Sequence, residues 1–99
     1  MDRRQELHNL LLTLTPNVYF QPPANVQMQY PCIIYKRDYM VTQFAGNIPY
    51  RRTKRYMVTV VDQNPDSDIP DKVASLPTAT FNRFYTADNL NHDVYRLYF

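Results

Sequence analysis

Three carboxylates, Asp66, Asp68 and Asp71, fall close together, and at that density they could hold a divalent cation. They also stand at the start of an expected helix, where negative charge complements the helix dipole, and that role explains them better. The two histidines, His8 and His92, are far apart, and no CxxC or HExxH spacing accompanies them, so a zinc site has poor support. A single glycine, Gly46, rules out a glycine-rich phosphate loop. The lone cysteine, Cys32, excludes an internal disulfide. It lies in Pro31-Cys32-Ile33-Ile34-Tyr35, among apolar neighbours that favour a buried, inert thiol over a nucleophile or metal ligand. The expectation is a protein with no cofactor, no metal and no catalytic residues, and so not an enzyme.

Two other patterns carry more weight. Arg51, Arg52, Lys54 and Arg55 sit between Tyr50 and Tyr56, and basic residues interleaved with aromatics suit a nucleic-acid groove. Strand alternation, however, sends Arg51 and Arg55 to one face and Arg52 and Lys54 to the other. The split charge equally suits a solvated strand end that blocks aggregation, or an intersubunit ion-pair patch. The second pattern is nine tyrosines with no tryptophan. Strands favour aromatics, and tyrosine is also enriched at protein interfaces. Tyr85, Tyr95 and Tyr98 cluster near the end of the sequence, and Tyr95 and Tyr98 join the basic cluster as candidate interface residues.

The elements that must position these residues can be read from periodicity. Leu7, Leu10, Leu11 and Leu14 form one face of an amphipathic helix, with Asp2 and Gln5 as a loose capping box and Thr15-Pro16 as its end. Val18-Tyr19-Phe20 is a short strand. Residues 32–39 form another, with a hairpin connection expected at Gly46-Asn47. Residues 52–62 form the clearest strand. Tyr56, Val58 and Val60 face one way, and Arg55, Met57, Thr59 and Val61 the other, so it should be central or covered on both sides. A second helix is expected over 68–76, capped by Asp68, started by Pro70 and buried through Ile69, Val73 and Leu76. Strands over 80–86 and 94–99 complete the chain. The last needs either its own sheet or a neighbouring subunit to hold it. The fold class that follows is α+β: two helices packed on a mainly antiparallel sheet, in the order α-β-β-β-α-β-β.

Ninety-nine residues at net charge +2 suit one small domain, with residues 1–99 forming a single unit. A chain of this size has a modest core, so help from partner subunits is expected. The charge is too near neutral to imply nucleic-acid binding by itself. No stretch is long and apolar enough for a membrane helix, and residues 7–14 are too interrupted for a signal-peptide core, so a cytoplasmic setting is expected.

Several segments carry a resemblance. Residues 30–35 (YPCIIY), 49–56 (PYRRTKRY), 66–73 (DSDIPDKV), 84–90 (FYTADNL) and 93–99 (DVYRLYF) resemble small tail-completion proteins of long-tailed bacteriophages. The sequence is similar in size and element order to tail terminators of the lambda type. The resemblance implies a structural virion protein whose subunits form a ring, hexameric in that family, at the head-proximal end of the tail tube. It implies contacts with the tail tube protein and a head-closure or neck protein, and genomic DNA passing through the lumen without specific binding. A head-closure or head–tail adaptor is the nearest alternative. A small nucleic-acid-binding module is the alternative of another class.

Overall fold

The computed structural model describes residues 4–22, 27, 29–46, 48–64 and 66–99; within 41–45 and 48–52 only the backbone is described. Among the described residues seven elements follow one another: α1 (Arg4–Leu12), β1 (Val18–Phe20), β2 (Cys32–Ala45), β3 (Ile48–Asp62), α2 (Ile69–Ala74), β4 (Thr80–Ala87) and β5 (Leu90–Tyr98). The five strands make one sheet in the order β1-β2-β3-β5-β4. Only β1 and β2 run parallel; the other neighbours are antiparallel. The fold is α+β with the expected element order.

Both helices lie on the same face of the sheet. Leu7 and Leu11 of α1 and Ile69 and Val73 of α2 share a core with Ile33, Tyr35, Tyr56, Val58, Val60, Tyr95 and Leu97. The leucine spacing is therefore a buried stripe, with Leu10 and Leu14 half-buried at its margin. A helix as short as α1 is not stable alone, so this packing is what keeps it helical. β3 sits at the centre of the sheet, and the alternation of Tyr56, Val58 and Val60 puts all of them under the helices.

Several boundaries differ from expectation. Both helices are shorter, because their ends tighten into turns: Leu14 N–H bonds Leu11 O at 3.0 Å, and Leu76 N–H bonds Val73 O at 3.1 Å. Asp2 lies outside the described residues. Asp68 occupies the N-cap of α2 but makes no side-chain cap, since its backbone is already helical (φ −89°, ψ −6°). Ser67 Oγ accepts the Ile69 N–H instead, at 3.3 Å, and the Asp68 carboxylate pairs with Lys72 one turn on, at 3.4 Å. β5 begins at Leu90 rather than 94, because Asp88 and Asn89 both take positive φ (54° and 63°) and close a tight hairpin between Ala87 and Leu90. Asp and Asn tolerate that backbone region better than other side chains.

The largest difference is in β2 and β3. They pair from Cys32↔Val61 out to Ala45↔Ile48, well beyond the expected ends at 39 and 52. Gly46 turns the hairpin at φ +60°; Asn47, the other expected turn residue, lies outside the described residues. β5 accompanies β3 only as far as Arg55↔Tyr98. Beyond that point the described backbone of β2 and β3 is a two-stranded arm. The radius of gyration, 14.7 Å, exceeds the ~13 Å of a compact domain of this size, and the longest dimension is 51 Å against 25 and 23 Å.

Candidate functional site

The arm carries the basic cluster. Arg51 and Arg52 stand opposite Gln43 and Thr42, and Lys54 and Arg55 opposite Met40 and Tyr39 near the arm's root. A free two-stranded ribbon is marginally stable in water, so an arm like this one requires something to brace its root.

The brace is a bulge. The register of β2 against β3 shifts between Arg37 and Tyr39, which leaves Asp38 as the extra residue. Its carboxylate turns inward to Arg55, with Nε to Oδ1 at 3.0 Å, and its second oxygen lies 3.9 Å from Arg96 Nε of β5. The Arg55 guanidinium also stacks over the Tyr39 ring, 4.9 Å from its centroid. The hydrogen bond to Asp38 holds the Arg55 proton more firmly than usual, with a further contribution from a hydrogen bond to Tyr98. Arg96 Nε is buried with no hydrogen-bond partner of its own, so Asp38 balances two guanidinium groups.

The six expected interface residues thus separate. Arg55 is engaged within its own subunit. Arg51 and Arg52 are on the arm, and Lys54 is half-buried at its root. Tyr98 is 37% exposed, beside Arg55. Tyr95 is only 5% exposed and belongs to the core, where its ring meets Phe81 edge-on at 5.5 Å. Burial, with the nearby carboxylates Asp93 and Asp71, pushes its phenol pKa up. Its side chain, expected at an interface, therefore has little surface to offer a partner. Alternation places Tyr95 on the helix side and Tyr98 on the other, a distinction that tyrosine content alone does not make.

Other exposed apolar groups were not singled out in the sequence. Tyr39 and Met40 at the arm's root are 54% and 46% exposed, and Phe81 and Phe84 on the edge strand β4 are 59% and 53% exposed. The signal for β4 was its aromatic content. Its position at the sheet edge depends on strand order.

Cys32, His8 and Tyr35 have defined surroundings in the fold. Cys32 is fully buried, and burial together with the negative charge of Asp62 pushes its thiol up to about 11. At neutral pH it is a protonated thiol without access to solvent. The Tyr35 phenol accepts from Arg4 Nη1 at 3.2 Å and lies 2.8 Å from His8 Nδ1. Burial, and then the Arg4 charge, lower the His8 pKa. His92 stacks on Tyr85 at 4.5 Å and lies far from His8 along the chain. Among the described residues no group of three His, Cys, Asp or Glu side chains could hold a metal ion. Asp66, Asp68 and Asp71 are exposed around the start of α2.

No known protein family matches this sequence, and no curated protein matches it significantly.

Proposed function

We propose that this chain is a structural virion protein of a long-tailed phage, a tail terminator. Its subunits form a ring, six-membered as in the terminators it resembles, at the head-proximal end of the tail tube. The ring caps tube growth and joins the neck. DNA passes through the lumen without specific binding. The protein performs no catalysis, is assembled in the host cytoplasm and resides in the tail and neck of the virion.

The observation that carries this reading is the braced arm. A small domain that extends a ribbon beyond its own sheet gives up local burial, and contact with another subunit restores it. Exposed aromatics on β4 and at the arm's root supply further contact surface of the kind found at interfaces. A contact between two different surfaces of identical subunits closes into a ring when the rotation allows.

The nucleic-acid reading is less well supported, because Asp38 already neutralises Arg55, one of the four cluster cations. A phosphate track gains from cations that face the strand without such partners.

The test is the position and symmetry of this chain in a map of the assembled virion. A closed six-fold ring between tail tube and neck is expected. A twelve-fold ring against the portal would replace the terminator with a head–tail adaptor. A single copy, or a location on the outer capsid, would overturn the reading. Tight, salt-sensitive DNA binding by the isolated protein would favour the nucleic-acid module.

A further inference from the structure

The charges of this chain separate along its long axis. The arm and its root, residues 36–55, carry Lys36, Arg37, Arg51, Arg52, Lys54 and Arg55 against the single carboxylate Asp38. β3 runs from the arm's tip to Asp62 at the opposite end of the sheet. Register places the β4–β5 turn at that same end, since Asp62 pairs with Asn91 and Ala87 with Leu90. The loop after β3 then leads into α2 with Asp66, Asp68 and Asp71, and Asp88 lies in the turn. Of these, Asp66, Asp68, Asp71 and Asp88 are exposed, and Lys72, paired to Asp68, is the cation within that group. A nearly neutral protein is thus positive at one end and negative at the other, over a body 51 Å long.

The acidic end adjoins a free edge. Among the described residues β4 is the last strand of the sheet and pairs only with β5, and it runs for eight residues. Phe81 and Phe84 stand exposed on its helix side. An exposed edge strand of that kind accepts another strand or packs against one. Paired positions 39–45 and 48–54 of the arm have nearly the length of β4.

We infer that the arm of one subunit docks along β4 of a second copy of this chain, its basic residues meeting the acidic cluster formed by the α2 start and the β4–β5 turn. The contact is head-to-tail: each subunit gives an arm and receives one. Like ends repel and unlike ends attract, which fixes direction around the assembly as well as adding attraction. This inference rests on the ring reading and names the surfaces that make the ring.

The experiment uses two charge-reversed chains. One carries Arg51→Glu and Arg52→Glu. The other carries Asp66→Arg and Asp71→Arg. Assembly is measured by sedimentation and native mass spectrometry at the highest concentration solubility allows. Each variant alone should need about 10- to 100-fold more protein than wild type to assemble. An equimolar mixture should recover assembly, because every contact in an alternating ring is then complementary, and mass should show equal numbers of both chains. A single chain carrying all four substitutions should recover it as well, which separates a lost contact from a lost fold. Wild-type assembly should weaken steeply with added salt. Variants that assemble like wild type, or a mixture and a quadruple variant that both fail while remaining folded by circular dichroism, would overturn the arm contact. So would a wild-type chain that stays monomeric throughout. The ring reading is decided separately by the symmetry of the virion map, so a six-fold ring built from unaffected variants would leave it standing while removing this interface.

Discussion

Thr78 and the backbone of Tyr98 bond to each other twice. The Thr78 hydroxyl donates to Tyr98 O at 2.8 Å and accepts from Tyr98 N–H at 3.0 Å. A threonine side chain thus substitutes for a strand partner at the end of β5, just before β4 begins at Thr80. The arrangement requires Thr78 to hold φ at +68°, an unfavourable region for a β-branched residue. On the other side, Phe99 N–H bonds Lys54 O at 3.0 Å. The last strand is therefore held by its own sheet. Thr78→Val keeps the shape and removes both bonds, and should cost about 1–2 kcal/mol in a denaturant titration. Thr78→Ser retains the hydroxyl and should stay near wild type. Equal losses in both would show that the bonds contribute little.

His8 should titrate below its ordinary value of 6.5, because burial and then Arg4 disfavour its charged form. A depressed folded pKa means that the unfolded chain takes up the proton first. Stability is then intact above pH ~6.5 and falls as pH drops through the unfolded value toward the folded one. Arg4→Gln removes the nearby charge and should move the His8 titration, followed by NMR, upward. An unchanged titration would exclude the Arg4 contribution.

Leu11 is fully buried beneath α1, whereas Leu10 is half-buried at the rim of a groove with Leu76, Pro77 and Phe99. Leu11→Ala should cost roughly 2–5 kcal/mol, and Leu10→Ala distinctly less. Comparison of denaturation midpoints checks the order, and a reversed order would mean that α1 docks on a different face.

Cys32 should react with a thiol reagent only as fast as the protein opens, since the side chain is fully buried. Its thiol is raised from 9.0 to about 11 in the fold, so the native state holds the proton longer than the unfolded chain. Stability should therefore decline as pH rises from 9.0 toward 11, and Cys32→Ala should abolish that part of the decline. Stoichiometric labelling at neutral pH faster than unfolding would contradict the burial.

Asp38 should matter more than its place on the chain suggests. Asp38→Asn leaves Arg55 and Arg96 facing each other without a carboxylate between them. The melting temperature should fall, and amide exchange should accelerate first at the arm's root, around Tyr39 and Arg55. Uniform acceleration across the sheet would mean that Asp38 supports the domain as a whole rather than the arm.

The amino-acid sequence determined the local elements of this protein. Leucines at helical spacing define the buried stripe of α1, and the alternation of Tyr56, Val58 and Val60 defines the covered face of β3, because each pattern follows directly from backbone geometry. The element order, the buried thiol of Cys32 and the turn at Gly46 come from the same local rules. Tertiary structure decided the rest. Alternation tells which way a side chain points but not which strand lies alongside, so it cannot show that β5 leaves β3 at Arg55 and frees an arm. The inward turn of Asp38 depends on a one-residue offset between two strands. Tyr95 and Tyr98 have the same composition signal and opposite fates, because they lie on opposite faces of β5 and the helices cover only one of them. The separation of charge has the same origin: the basic segment in the first half of β3 and the acidic segment after its end lie apart because β3 is a long extended strand.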